Sequence, residues 1–217
     1  MNIKLLVFDL DGTLVSSHKT IYEATIHTLK HFNIDVHMPE EKFYEMIGWH
    51  FEDIFNVFGF KVENFEEFIN VYKTIYFDYI NYSHLYEGVE GTLNKLKEKG
   101  FLISLLTTKG QDQAEKLISY FGLTEKFDLI MGRRNGIKHK PSPEPLIKIC
   151  EELKTNVEET IIIGDTELDI QCGKNAGSKT CAVTYGYRTK KSLEDLSPDF
   201  IIDNFDEIFL LMNNNGN

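Results

Sequence analysis

The residues in this sequence that could do chemistry fall in four short segments. Phe8-Asp9-Leu10-Asp11-Gly12-Thr13 sets two carboxylates two residues apart, and in an extended segment side chains two apart share a face. Adjacent carboxylates raise each other's cost of ionising. Such a pair persists when a cation neutralises it or when one member keeps a proton. Either state is useful, because one carboxylate can attack while the other serves as acid and base. Gly12 lets the chain turn sharply straight afterwards. Two solvated aspartates in an ordinary Asp-Gly turn are the plainer reading, so this motif needs company.

The other three segments supply it. Leu105-Leu106-Thr107-Thr108-Lys109 closes an apolar run, and a hydroxyl with backbone N–H groups at a strand end can hold a phosphoryl oxygen. The same residues would also serve as a plain helix cap. In Lys138-His139-Lys140-Pro141-Ser142-Pro143-Glu144-Pro145, Lys140 is fixed beside prolines, where its ammonium can steady both a nucleophile and a phosphate. His139 and Lys138 are read as bystanders. The last segment is Ile162-Ile163-Gly164-Asp165-Thr166-Glu167-Leu168-Asp169. If a helix begins near Asp165, then Asp165 and Asp169 share a face, although the helix dipole alone favours acids there. Asp9, Asp11, Asp165 and Asp169 bring four negative charges to one crevice, against one positive charge from Lys140. A divalent cation would leave minus one, and a protonated Asp11 zero. With oxygen donors and no clustered His or Cys, Mg2+ is the expected metal.

Each of these groups lies at or after the C-terminal end of a predicted strand, which is where ligands bind in an open parallel sheet. The β-rich apolar runs are Ile3–Phe8, Phe101–Leu106, Phe127–Met131, Thr160–Ile163, Thr180–Val183 and Phe200–Ile202. Helical stripes alternate with them: Val89, Leu93 and Leu96; Ala114, Leu117, Ile118 and Phe121; and Pro143 through Leu153. That alternation predicts an α/β fold with a Rossmann-like parallel sheet. More than ninety residues separate the first two strands, whereas a whole βαβ unit needs about 30. The excess reads as helices over Thr20–Phe32, Pro39–Ile47, Phe51–Phe58 and Asn64–Ile80. The expected organisation is therefore a core domain of residues 1–15 and 82–217, with a helical cap of residues 16–81 inserted after strand 1. The aromatic stripe Phe65, Phe68, Tyr72, Tyr76 and Tyr79 is assigned to packing, and the Asn-rich tail 213–217 is expected to fray.

Composition narrows the class further. At 217 residues, with 42% hydrophobic and 26% charged residues, the chain can bury a sizeable core. A net charge of −11 argues against a non-specific grip on nucleic acid or an anionic membrane. No signal peptide or membrane span is read. Three scattered cysteines, Cys150, Cys172 and Cys181, lack metal-ligand spacing and suit a reducing cytoplasm as small buried hydrophobes. A monomer is the default, with a homodimer as the alternative.

The ordered set DLDGT, LLTTK, KPSPEP and GDTELD resembles the haloacid dehalogenase superfamily, and the insert after strand 1 resembles its phosphoglycolate phosphatase-like branch. The resemblance covers almost the whole chain. It implies a Mg2+-dependent phosphatase acting on a small phosphorylated metabolite, such as a phosphoglycolate-like phosphomonoester or pyrophosphate. Asp9 would attack phosphorus to form an aspartyl-phosphate, and Asp11 would protonate the leaving oxygen and then activate water. Thr107, with neighbouring groups including Thr108, would hold the phosphoryl group, and Lys140 would neutralise charge. The metal would take Asp9, the Asp11 carbonyl and Asp165, with Asp169 in support. Relatives often read DLDGTLVDS where this chain has Ser16 in place of the aspartate, which touches the hinge rather than the chemistry.

Gly48-Trp49-His50 resembles the cap loop facing the phosphate in this branch, so these residues are candidates for substrate contact, as is Arg133 with its neighbour Arg134. A packed helix–helix turn and a solvated arginine pair are the plain alternatives. A dehalogenase or a phosphonate hydrolase would be expected to lack Asp11. A sugar-phosphate mutase of the β-phosphoglucomutase type shares all four motifs and is the enzymatic alternative. A phosphate-binding module without turnover is the non-enzymatic one, and it would be expected to have lost a motif.

Overall fold

The computed structural model describes residues 2–213. The chain begins with β1 (Leu5–Phe8), β2 (Val15–Ser16), α1 (His18–His31), α2 (Glu40–Tyr44), α3 (Phe51–Val57), α4 (Phe65–Asp78) and β3 (His84–Leu85). It continues through α5 (Val89–Glu98), β4 (Leu102–Gly110), α6 (Gln111–Tyr120), β5 (Leu129–Arg133) and α7 (Glu144–Glu152). It closes with β6 (Thr160–Gly164), α8 (Glu167–Ala176), β7 (Lys179–Val183), α9 (Lys190–Glu194), β8 (Phe200–Ile202) and α10 (Glu207–Asn213). The tail expected to fray lies, from residue 214 on, outside the described residues.

Six strands form one parallel sheet in the order β5-β4-β1-β6-β7-β8, the α/β architecture expected from the alternating pattern. From β1 the chain builds outward to β5, returns to the far side of β1 and builds outward again to β8. That reversal opens a crevice beyond the carboxyl ends of β4, β1 and β6. The four residues of β1 are all buried, as befits a central strand covered on both faces. Leu5 and Val7 pack with Leu106, Met131, Ile162 and the α7 residues Leu146 and Ile149. Phe8 packs against Phe205 with ring centroids 5.5 Å apart. At about 1.5–3 kcal/mol per buried aliphatic side chain, this core gives the strand ends a rigid base. Ser104, buried within β4, donates to Leu129 O at 2.9 Å, so its hydroxyl is satisfied.

Two boundaries differ from the sequence expectation. β4 runs on to Gly110, with a register shift between Leu106 and Gly110, so the Thr-Thr-Lys segment belongs to an irregular strand end that re-aims its side chains. The helix expected near Asp165 begins at Glu167, with Thr166 as its N-cap. Asp165 therefore precedes the helix, and its proximity to Asp169 is set by the strand-to-helix turn rather than by a shared helical face.

The chain divides into two compact units: Met1–Val15 with Leu85–Asn217, and Ser16–His84. The first holds the sheet. The second is helical, and its core is aromatic. Phe68, Tyr72 and Tyr76 are the buried line of α4, and Phe55 meets Phe68 edge-on at 5.2 Å while Phe51 meets Tyr72 at 4.8 Å. Such pairs contribute about 0.5–1.5 kcal/mol beyond their burial. Among the described residues no helix is long and apolar enough to cross a membrane.

Candidate active site

Parallel register brings three strand ends level. Phe8 pairs with Leu105 on one side and Ile163 on the other, and Asp9 N–H donates to Ile163 O at 2.9 Å. The chain then turns at once. Gly12 has φ 88°, a left-handed conformation that favours glycine, and its N–H donates to Val15 O at 2.8 Å. Asp9 is left at the mouth of the sheet with only 7% of its surface exposed.

Lys140 comes to Asp9 from the loop after β5 and is itself 3% exposed. Its ammonium donates to Asp9 Oδ1 at 2.6 Å, Asp169 Oδ1 at 2.5 Å and Leu106 O at 2.9 Å. All three of its protons are thereby accounted for. Asp169 is locked from the other side, since its Oδ2 accepts from Thr166 N–H at 3.1 Å and Thr166 Oγ1 at 2.6 Å. The two residues form a capping box at the start of α8, with Asp in the position where Glu or Gln is usual. Asp165 follows β6 and is fully buried. It accepts from Thr13 Oγ1 at 3.2 Å and from Tyr187 N–H at 2.8 Å.

Glycines make the room for these carboxylates. A Cβ on Gly12 or Gly186 would lie 2.2 Å from an atom of Asp165, and one on Gly164 would lie 2.1 Å from Asp169 Cγ. Gly186→Ala is therefore expected to displace Asp165, at an overpacking cost of about 1–3 kcal/mol. Its measure is the rise in melting temperature that a divalent cation induces, which should shrink well below the wild-type rise. An undiminished rise would show that Asp165 keeps its place.

The electrostatics match a cation site. Burial pushes the Asp9 carboxyl up to about 7; Lys140 opposes this, while Asp169 and Asp11 reinforce it. Burial, then Asp9 and Asp169, raise Asp165 well above the ordinary carboxylate range, and the Tyr187 N–H only partly offsets them. Burial alone would lower Lys140, but Asp169 and Asp9 hold it above its ordinary value, so it stays charged. Asp9, Asp165 and Asp169 each offer an oxygen, and these oxygens lie within 4.8 Å of one another. An all-oxygen, carboxylate-rich donor set of this kind fits a hard divalent cation, and these three residues could hold one.

Asp11 stands apart from that trio. Its Oδ2 lies 3.3 Å from Lys109 Nζ, with side-chain exposures of 13% and 7%. The sequence count of four carboxylates against one ammonium thus missed a second ammonium. Corrected for Lys109, the formal charge of the cluster with every group ionised is minus two, equal and opposite to that of a single divalent cation. Thr107 is 4% exposed, and its Oγ1 accepts from Lys109 N–H at 3.2 Å, so its own hydroxyl proton can point elsewhere. Thr108 is half-buried.

The remaining candidates are more dispersed. Arg133 closes the edge strand β5 and is exposed, while Arg134 is tied down by Gln111 Oε1 at 2.9 Å and Ile130 O at 2.8 Å. Of the pair, Arg134 is thus a clamp of β5 rather than a rim charge. Gly48, Trp49 and His50 belong to the helical unit. Trp49 is 42% exposed and so is not part of that unit's core. Ser16 is buried, with its Oγ 3.4 Å from His18 Nδ1. The Tyr185-Gly186-Tyr187 segment holds Asp165 through Tyr187 N–H and reaches Thr13 O through Tyr185 Oη at 3.0 Å.

With this geometry in hand, the chain can be set beside known proteins. Residues 6–183 match the profile of a family described as haloacid dehalogenase-like hydrolase. The pyrophosphatase PpaX of Halalkalibacterium halodurans is 35% identical over 93% of both chains. The phosphoglycolate phosphatase of Aquifex aeolicus is 32% identical over 98% of both. A haloacid dehalogenase-like family protein of Streptococcus pneumoniae superimposes with a TM-score of 0.86 over 97% of this chain and 99% of its own, and at 23% identity that likeness concerns the fold alone.

Proposed function

This chain belongs to the haloacid dehalogenase-like hydrolase family, and from that premise we propose that it is a Mg2+-dependent phosphatase of small phosphorylated compounds working through an aspartyl-phosphate. The observation that carries the reading is Asp9. It is a carboxylate at the end of the central strand, buried and held by Lys140 beside Asp165 and Asp169. Pyrophosphate and 2-phosphoglycolate head the candidate substrates, because relatives of near-full length carry those activities in their names.

A carboxylate oxygen of Asp9 attacks phosphorus, and the bond to the leaving oxygen breaks as Asp11 gives that oxygen its proton. Asp11 then takes a proton from water, whose oxygen attacks the same phosphorus, releases inorganic phosphate and restores Asp9. Thr107, with Thr108 and the adjoining backbone N–H groups, orients the phosphoryl oxygens, and the Lys140 ammonium offsets their charge. These are positioning and charge-stabilising roles, which dominate phosphoryl transfer. Asp9, Asp165 and the Asp11 carbonyl, with Asp169 in support, would hold the metal. When bound, the metal supplies further neutralisation of phosphoryl charge.

The helical unit Ser16–His84 is assigned the role of a cap that selects substrate, with Gly48, Trp49 and His50 as its nominated contacts and Arg133 as a nominated contact of the core. Three free, buried thiols suit a reducing compartment, and we assign a monomeric enzyme to the cytoplasm.

The test is phosphate release from a panel of pyrophosphate, 2-phosphoglycolate, sugar phosphates and nucleotides, with magnesium and with chelator. Release is expected on at least one compound and should fall at least about 100-fold with chelator, as expected when several kcal/mol of transition-state stabilisation are removed. Release indifferent to chelator would remove the metal from the mechanism, and none from any compound would overturn hydrolysis. Trp49→Ala should reorder the panel, and an unchanged ranking would remove that loop from the proposal.

A further inference from the structure

Lys109 closes the LLTTK segment but is given no role in the four-motif reading, yet the fold treats it as a fixed component. Its side chain is 7% exposed, an unusual place for an ammonium without a counter-charge. Its backbone is equally constrained. It sits inside the register shift between Leu106 and Gly110, with its N–H on Thr107 Oγ1 at 3.2 Å. Its carbonyl lies against Gly132, where a Cβ would come within 3.0 Å of Lys109 O and 2.6 Å of Gln111 Cα. Gly132 N–H is in turn held by Gln111 Oε1 at 2.7 Å. The strand end is thus clamped from its own hydroxyl, from β5 and from the first residue of α6. What this clamp aims is the ammonium, 3.3 Å from Asp11 Oδ2.

Asp11 needs such a partner. It follows Asp9 by two residues and precedes the left-handed Gly12, on a turn that fixes its backbone and not its side-chain torsions. A carboxyl that must deliver a proton to a leaving oxygen has to be held within hydrogen-bond reach of it. The hold of the ammonium on Oδ2 restricts the rotation of the whole group and leaves Oδ1 to carry the proton. On the phosphatase reading above, we propose that Lys109 is a positioning residue for the acid–base step, holding Asp11 in the orientation from which it protonates the leaving group. Its ammonium does not touch the transferred phosphoryl group and acts through Asp11.

Leaving-group chemistry separates this role from a direct grip on phosphate. A weakly basic leaving oxygen departs without a proton, and a strongly basic one does not. The experiment measures kcat/KM, which reports only the steps up to leaving-group departure, for p-nitrophenyl phosphate, phenyl phosphate and methyl phosphate, in order of increasing basicity. Wild type, Lys109→Met, Lys109→Arg and Asp11→Asn are compared with magnesium present, and each is melted to check its fold. Lys109→Met is expected to lose a few-fold on p-nitrophenyl phosphate and about 10–100-fold on methyl phosphate, part of the about 10²–10⁴ available to acid–base catalysis. Lys109→Arg should recover some of the loss, and Asp11→Asn should show the same gradient more steeply. A loss in Lys109→Met that is uniform along the series, beside a graded loss in Asp11→Asn, would overturn the inference and leave the phosphatase reading intact. A flat series in Asp11→Asn itself would overturn the acid–base assignment and the inference with it. Lys109→Gln repeats the test should the methionine variant not fold.

Discussion

Asp9→Asn is expected to reduce phosphate release at least about 10⁴-fold on every substrate the wild type accepts, because it removes the nucleophile without changing the shape of the site. The fold should survive. Asn keeps an oxygen for the Lys140 ammonium, which also retains Asp169 and Leu106 O. Stability near neutral pH should even hold or rise when no metal is present. The reason is that burial, despite Lys140, lifts the Asp9 carboxyl to about 7 in the folded protein, above its unfolded value. A group shifted in that direction stabilises the fold below its unfolded value, and the gain is lost as pH climbs towards 7. The amide does not titrate, so the variant should not lose stability across that window. Phosphate release and thermal melts in chelator decide the matter together. Retained turnover in homogeneous Asp9→Asn would end the nucleophile assignment, and a collapse in melting temperature would show that Asp9 is structural.

Lys140→Met should fail in a different way, losing stability as well as turnover. The ammonium is 3% exposed and is the shared donor to Asp9 and Asp169. Removing one member of a buried charge cluster leaves the others uncompensated, at a cost of about 3–5 kcal/mol. For a chain of this size that corresponds to a fall in melting temperature of roughly 6–20 °C. Asp9 and Asp169 hold Lys140 above its ordinary value against the opposing pull of burial, so its contribution is fully present at neutral pH and would be lost only in strong alkali. Added magnesium should return part of the lost stability by mass action, since a cation that binds the folded state alone favours it. Circular-dichroism melts with and without magnesium measure both effects. A variant that melts like wild type in chelator would show that the carboxylates discharge without help from Lys140.

The contrast between these two variants follows from where each group sits, and much of that could be read from the chain. Asp9, Thr107 and Asp165 stand beside runs of aliphatic residues too apolar for anything but covered parallel strands, so their convergence at one end of a sheet followed from local pattern alone, whereas Lys140 is brought to them by the loop after β5. The N-cap of α8 was missed, although Thr166 and Asp169 have the spacing of a capping box. The expected helix start was set too early because Asp165, Glu167 and Asp169 all look like first-turn acids. Helix dipole and capping favour the same residue types, and the Asp169 hydrogen bonds to Thr166 are what separate them.

What the chain determined by itself is therefore the chemistry available: which carboxylates, hydroxyls and ammonium groups end which strands, and that hard oxygen donors gather there. Which of those groups face one another was decided by the tertiary structure. The pairing of Asp11 with Lys109 depends on β4 lying beside β1 and on a register shift of that strand end. The seat of Asp165 depends on Gly186, remote in sequence and chosen for the atoms it lacks. Periodicity records which face a side chain takes within its own element, and carries no information on the few ångströms separating two elements. Coulomb energy and steric overlap vary most steeply over those few ångströms, so the net charge of the site and the shape of its cradle emerge only once the strands have packed.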